Sequence, residues 1–105
     1  MRRIIFSVWA ILTALAASGS AGADAEAGKA TASGVCASCH GPQGISGADT
    51  FPNLAGQKKA YLVSALKAYR DKTRTHPIMN GMAASLTDQQ IDDVAAYYSG
   101  LKAGE

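Results

Sequence analysis

Hydrophobic residues recur at helical spacing in the middle of the chain. Residues 57–71 read QKKAYLVSALKAYRD, and their larger apolar positions fall at i, i+1, i+4, i+5 and i+8, namely Tyr61, Leu62, Ala65, Leu66 and Tyr69. This spacing places them on one side of an α-helix. The basic residues of the segment fall mostly off that side. The pattern predicts an amphipathic helix whose charged face contacts water.

A second apolar stripe predicts the last helix. It consists of Ile91, Val94, Ala95 and Tyr98, spaced at i, i+3, i+4 and i+7. Thr87 and Gln90 have the spacing of a capping box, so we expect the helix to begin after Thr87. Gly100 is placed to end it.

A third helix is predicted over residues 25–35, AEAGKATASGV, which are mostly small. A helix with so little bulk can approach another closely, and Gly28 is the candidate contact point. Residues 41–56 and 72–86 are rich in glycine, proline and polar residues and predict two long loops. No stretch alternates as a strand does. The predicted fold is all-α, with three main helices and two long loops.

The start of the chain has the three-part pattern of a secretory signal peptide. A basic MRR is followed by an apolar run over residues 4–17 and then by AGADA. The run is shorter than the roughly 20 residues that a membrane-spanning helix needs. We expect a signal peptide over residues 1–23, cleaved after Ala23 or alternatively after Ala25, and a periplasmic domain over residues 24–105. A retained membrane anchor is the alternative.

Cleavage would change the charge of the chain. The sequence has 10 Lys and Arg and 8 Asp and Glu, so loss of Arg2 and Arg3 leaves 8 of each and a formal net charge near zero. Neither nucleic acid nor an anionic membrane is indicated as a partner. The remaining domain is short and poor in Leu, Ile and Phe, so a bound group is expected to complete its core.

Both cysteines lie in GVCASCHGPQG, residues 34–44, as Cys36-x-x-Cys39-His40. A dithiol or disulfide is one use of such a motif, but redox pairs usually begin a helix after a strand. A zinc site is another, but it needs a fourth ligand, and His76 fits none of the usual zinc spacings.

Covalent haem attachment accounts for every position of the motif. The thiols of Cys36 and Cys39 add across the two porphyrin vinyl groups, and His40 then lies under the iron and can coordinate it. Such attachment occurs outside the cytoplasm, in agreement with the signal peptide. A flat apolar ring would fill the core, and each long loop could cover one of its faces. The second loop offers Met79, Met82 and His76 for the opposite axial position.

Four motifs make the chain resemble the short bacterial class I cytochromes c, and in particular one half of the dihaem cytochromes of the c-four type. The motifs are CASCHG, FPNLAGQ followed by YL, HPIMNGMAASLTDQQI and DVAAYYS. The resemblance covers roughly residues 25–101 and implies a class I cytochrome c fold and an electron carrier with His and Met on the iron. The chain has one haem motif where the dihaem relatives have two. The resemblance also implies that Gly28 meets Tyr97 or Tyr98 where the first and last helices cross.

The same resemblance implies roles for residues of both loops. In family members with an M-x-G-M pattern the first methionine is the ligand, which here is Met79, with Met82 and His76 as alternatives. Family members have a proline twelve residues after the haem histidine, and its carbonyl accepts from the imidazole; this corresponds to Pro52. Independently of the resemblance, the basic residues Arg74 and Lys72 of the second loop could reach a haem propionate, and Arg74 is the preferred candidate.

We therefore predict a periplasmic single-electron carrier with one haem c, which is not an enzyme. It would be a monomer that binds redox proteins transiently. Three other hypotheses remain: a fixed haem subunit of a larger oxidoreductase, a peroxidase-like enzyme or sensor with an open iron position, and a thiol-redox protein without haem.

Overall fold

The structure, a computed structural model, describes residues 22–104. Its five helices are α1 (Ala25–Val35), α2 (Ala37–His40), α3 (Lys59–Arg70), α4 (Met79–Ala83) and α5 (Asp88–Ser99). These residues contain no strand, so the all-α prediction is confirmed. Within the same range no helix has the length and apolar character needed to cross a membrane. Most of the predicted signal peptide, residues 1–21, lies outside the described part of the chain.

The three main helices lie where the sequence predicts them. Helix α5 begins with the predicted capping box: the Thr87 hydroxyl accepts from the Gln90 backbone N–H at 3.1 Å, and the Gln90 side chain accepts from the Thr87 N–H at 3.0 Å. These bonds satisfy two N–H groups at the helix start. Gly100 ends the helix with a right-handed φ of −83°, so this end does not use the left-handed turn open to glycine.

Two short helices, α2 and α4, lie outside the three helices that the sequence predicts. Helix α4 lies inside the predicted loop 72–86 and contains Gly81. Pro77 precedes this helix, so its missing N–H removes no bond from it. Glycine in a helix costs about 1 kcal/mol relative to alanine, and burial of Ala83 at the end of the helix opposes that cost. The prediction of an uninterrupted loop is therefore wrong.

Helices α1 and α5 approach most closely at Gly28. A Cβ atom at this position would lie 1.9 Å from the carbonyl oxygen of Asp93 and 2.9 Å from the backbone nitrogen of Val94. The α5 atoms nearest to this position belong to the backbone of Asp93 and Val94, and the contact of Gly28 with Tyr97 or Tyr98 stays a prediction. Tyr98 packs in a cluster with Ala32, one turn further along α1.

The core of the described residues consists of two groups of side chains that share helix α5. One group lies between α1, α3 and α5, and the other between the end of the second loop and α5; their buried members are Ala32, Leu62, Val94, Ala95 and Tyr98, and Ala83, Leu86 and Ile91. Val63 and Leu66 of α3 pack against both groups. Four of these buried residues are alanine or valine, so the buried side chains of the protein fill little volume in its core.

We expect Gly28→Ala to lower the free energy of unfolding by about 3 kcal/mol, because the added methyl group meets backbone atoms that cannot move aside without separating the helices. The matched control is Gly34→Ala in the same helix, where an added Cβ has no atom within 4 Å. That change should stabilise the protein by about 0.5 kcal/mol, through better helix propensity. Urea unfolding of the purified proteins measures both. Equal effects of the two substitutions would contradict a close contact at Gly28.

Candidate haem site

One cavity of about 300 Å³ brings together all six residues that the sequence analysis assigned to a site. They are Cys36, Cys39, His40, Pro52, Arg74 and Met79. Apolar side chains from α3 and α5, including Leu62, Leu66 and Val94, line the rest of the cavity. A wider, shallower depression follows the outer side of α3 between Lys59 and Thr73, and none of the six residues borders it. The enclosed cavity is therefore the candidate site.

Helix α2 carries the cysteine motif into this cavity. Cys36 ends α1 and precedes α2, and the His40 backbone N–H donates to the Cys36 carbonyl at 3.0 Å. Both cysteines are half-buried free thiols, and His40 is 7% exposed. Gly41 follows with φ +86°, where a Cβ atom would lie 2.0 Å from the carbonyl oxygen of Ile45. A residue with a side chain at position 41 would thus disturb the turn that holds His40.

The electrostatics of the motif do not favour thiol-redox chemistry. Burial raises the pKa of the Cys36 thiol above its ordinary value, and a hydrogen bond with Tyr98 opposes this only in part. A reactive dithiol needs a thiol whose pKa is lowered. A zinc site has no support either, because residues 22–104 include no group of three or more His, Cys, Asp or Glu side chains placed to hold a metal ion.

A hydrogen bond fixes the orientation of the His40 ring. Its Nδ1 lies 2.8 Å from the carbonyl oxygen of Pro52. A carbonyl oxygen can only accept, so Nδ1 carries the proton and donates. The lone pair of Nε2 is then available to a metal ion, and the carbonyl makes the imidazole a stronger ligand.

The loop that carries Pro52 is held by backbone hydrogen bonds. The N–H groups of Leu54 and Ala55 both donate to the Gly44 carbonyl, at 2.8 and 3.0 Å. The Gly56 N–H donates to the Tyr98 carbonyl near the end of α5, at 2.9 Å. The loop is therefore closed on itself and attached to α5, which explains how a segment so rich in glycine keeps Pro52 against His40.

The two methionines of the second loop differ in how far they are buried beside the cavity. Met79, the first residue of α4, is half-buried, whereas Met82 is 45% exposed, although both border the cavity. The Nδ1 atom of His76 accepts from the backbone N–H groups of Ile78 and Met79, both at 3.2 Å. His76 thus uses one ring nitrogen to hold the turn that presents Met79.

Asn80 attaches this turn to the end of α3, a role that the sequence analysis missed. Its Nδ2 donates to the carbonyls of Tyr69 and Arg74 at 2.8 and 2.9 Å, and its Oδ1 accepts from the His76 N–H at 2.7 Å. All three partners are backbone groups. Their positions depend on how the loop folds back, so no residue pattern in the sequence indicates them.

Arg74 borders the cavity from an exposed position. Its guanidinium lies over the Tyr69 ring, 4.7 Å from the centroid, and Nη1 is 3.4 Å from the Tyr61 hydroxyl. A cation over an aromatic face is attracted by the ring quadrupole. These contacts keep the side chain at the cavity edge, where a carboxylate could reach it.

Taken together, the residues fit a covalently bound haem. The cavity provides two free thiols, an imidazole with an available nitrogen, a thioether and an apolar lining. The family model for cytochrome c matches residues 25–102. The chain belongs to the cytochrome c family. Membership implies a covalently bound haem of the c type and supports electron carriage.

Individual relatives point to one branch of this family. Cytochrome c4 of Thiocapsa roseopersicina is 47% identical over 76 residues, which cover 72% of this chain and 39% of that protein. Cytochrome c-554(548) of Halomonas halodenitrificans is 48% identical over 69 residues, or 63% of this chain and 83% of that protein. The structure of Acidithiobacillus ferrooxidans cytochrome c4 matches with a TM-score of 0.72 and 40% identity, covering 80% of this chain and 53% of that chain.

The chain thus spans about half the length of the cytochromes c4 that it matches, or less. Since cytochrome c4 is a dihaem protein, the predicted similarity of this cytochrome to one half of such a protein is confirmed. The predicted class I cytochrome c fold is confirmed as well.

We expect Asn80→Ala to lower the free energy of unfolding by about 2 kcal/mol, because it removes all three of these hydrogen bonds to backbone groups. The control is Asn53→Ala in the first loop, which removes a single bond, from the Ser46 N–H at 2.7 Å, and should cost about 1 kcal/mol. Denaturant unfolding measures both, and hydrogen exchange at the His76 amide should accelerate only in Asn80→Ala. Unchanged exchange there would refute the attachment by Asn80.

Proposed function

We propose that this cytochrome is a periplasmic single-electron carrier with one haem c and with His40 and Met79 as axial ligands. The observation that carries the proposal is the cavity itself. One enclosed apolar space contains Cys36 and Cys39, an imidazole with an available Nε2, and the side chain of Met79. The predicted signal peptide, residues 1–23, supports export to the periplasm, where such haem attachment takes place.

Different residues of the chain would hold different parts of the haem. Cys36 and Cys39 would bind it through thioether bonds, and Arg74 stands at the cavity edge where a propionate can be paired. The haem supplies reversible one-electron chemistry at its iron. The Pro52 carbonyl keeps the His40 ring in one tautomer, and the thioether of Met79 and the apolar lining favour the ferrous state. The reduction potential should therefore lie above that of a haem with two histidine ligands.

The structure favours Met79 over the two other candidates for the second axial ligand. Met79 is half-buried and its backbone N–H is held by His76, whereas Met82 is 45% exposed. His76 already uses Nδ1 as an acceptor for two backbone groups. A ligand restrained before it binds loses less conformational entropy on binding.

The same contacts count against a haem enzyme or sensor with an open iron position. Such a protein needs a distal group that can transfer a proton, and His76 is the only other histidine of the sequence. Its Nδ1 accepts from two backbone N–H groups of the turn before α4, and its ring packs edge-on against Tyr69, 6.3 Å between centroids. A carrier needs no such group, because His40 and Met79 would both stay bound to a haem that exchanges only an electron.

Donor and acceptor proteins would bind this cytochrome briefly and through a small surface. Cys36 and Cys39 are half-buried, so the cavity edge beside them is the natural route for the electron. Contacts of this kind lie at the small end of protein interfaces. The near-zero charge expected after cleavage argues against strong electrostatic steering.

The absorption spectrum tests this proposal. The oxidised protein should show a weak far-red band that is lost in Met79→Ala and retained in the matched variant Met82→Ala. The reduced protein should bind carbon monoxide readily only in Met79→Ala, because only that change opens an axial position. Ready carbon monoxide binding by the unaltered protein would refute the carrier function, and loss of the band in Met82→Ala alone would reassign the ligand.

A further inference from the structure

A buried carboxylate on α5 has no ion-pair partner among the residues that the structure describes. Asp93 is 6% exposed. Among residues 22–104 the ion pairs all involve Arg70, which binds Asp71 and Asp88. An ionised carboxylate removed from water is costly unless a cation or several hydrogen bonds compensate it.

Two nitrogen atoms donate to the same oxygen of Asp93. The backbone nitrogen of Asp24 lies 2.8 Å from Oδ1, and the side-chain amide nitrogen of Gln89 lies at the same distance. Gln89 is neutral and also donates to the Gly22 carbonyl at 3.2 Å. Only the nitrogen of Asp24 can become a cation, and it does so if the peptide bond before it is cut.

We propose that the protease that removes the signal peptide cuts between Ala23 and Asp24, and that the new α-ammonium group of Asp24 forms an ion pair with Asp93. In this hydrolysis water adds across the amide bond, so that Ala23 ends in a carboxylate and the Asp24 nitrogen becomes an amine, which is protonated at neutral pH. Export processing would then supply the missing counter-charge. The inference rests on the export that the proposed function includes.

The side chain of Asp24 argues against the other candidate site, after Ala25. Its carboxylate accepts from the backbone N–H groups of Glu26 and Ala27, at 2.9 and 3.3 Å, and so caps α1. Cleavage after Ala25 would remove this cap and also the partner of Asp93. Cleavage after Ala23 keeps the cap and strengthens the contact with Asp93, at the cost of the Gln89 contact with Gly22.

Helix electrostatics oppose the ion pair in part. A positive charge at the start of α1 is unfavourable to the helix dipole. The carboxylates of Asp24 itself and of Asp93 offset that effect, and Glu26 adds a further acid in the first turn. The ammonium group therefore has acidic neighbours on both helices that meet at this point.

The mass of the exported, haem-loaded protein is the first test. We expect a chain that begins at Asp24. A chain that begins at any other position after export, such as Gly22 or Glu26, would overturn the inference and leave the carrier function standing. A chain that still begins at Met1 would overturn both this inference and the predicted signal cleavage.

A thermodynamic cycle then tests the ion pair. Haem-loaded proteins that begin at Asp24 or retain Ala23 are compared, each with and without Asp93→Asn. Exposing the ammonium at Asp24 should raise the folding equilibrium constant about tenfold when Asp93 is present, because a charge-assisted bond replaces a neutral one, and should have little effect with Asp93→Asn. The control is Asp92→Asn, the same change at the adjacent residue of α5, which should keep the full effect. An equal effect in the Asp93→Asn proteins would refute the pair, and the absorption spectra of the same samples report haem ligation separately.

Discussion

Helix α1 can lie against the backbone of α5 because residue 28 has no side chain. The separation of the two helices sets the positions of both ends of α1. At its start, the Asp24 nitrogen reaches Asp93. At its end, Cys36 reaches Tyr98, and α2 follows with His40. A wider separation would move the cysteine motif away from α5, although Gly28 itself touches no part of the cavity.

The positions of the main helices along the chain could be predicted from periodicity and capping, because both act within one segment. The apolar stripes of α3 and α5 and the capping box at Thr87 located the main helices correctly. Helices α2 and α4 were not predicted because each has only four or five residues. Such a helix spans little more than one turn, which is too short to show a hydrophobic period. The exact registry of α1 on α5 could not be predicted, because it depends on which positions leave room for the backbone; a Cβ atom at residue 28 would meet the backbone of Asp93 and Val94.

Some residues of the candidate site could also be predicted from the sequence, and others could not. Cys36, Cys39 and His40 were predictable because the chemistry of haem attachment requires neighbours in sequence. Pro52 was predictable only through a family spacing, and the structure places its carbonyl against the imidazole. Asn80 and the acceptor role of His76 could not be predicted. Both side chains bind backbone groups whose positions exist only after the loop has folded, and the same holds for the contact between Asp24 and Asp93, 69 residues apart.

The two walls of the cavity are attached to different parts of the molecule. The loop behind His40 is bonded to α5 through Gly56, whereas the turn that carries Met79 is bonded to the end of α3 through Asn80. Cooperative opening units follow such attachments. The turn that carries Met79 is therefore expected to open separately from the loop behind His40. A prosthetic group tied to Cys36 and Cys39 would remain with α1 and α2 during such an opening, so its contact with the Met79 turn could break and form again without release of the group.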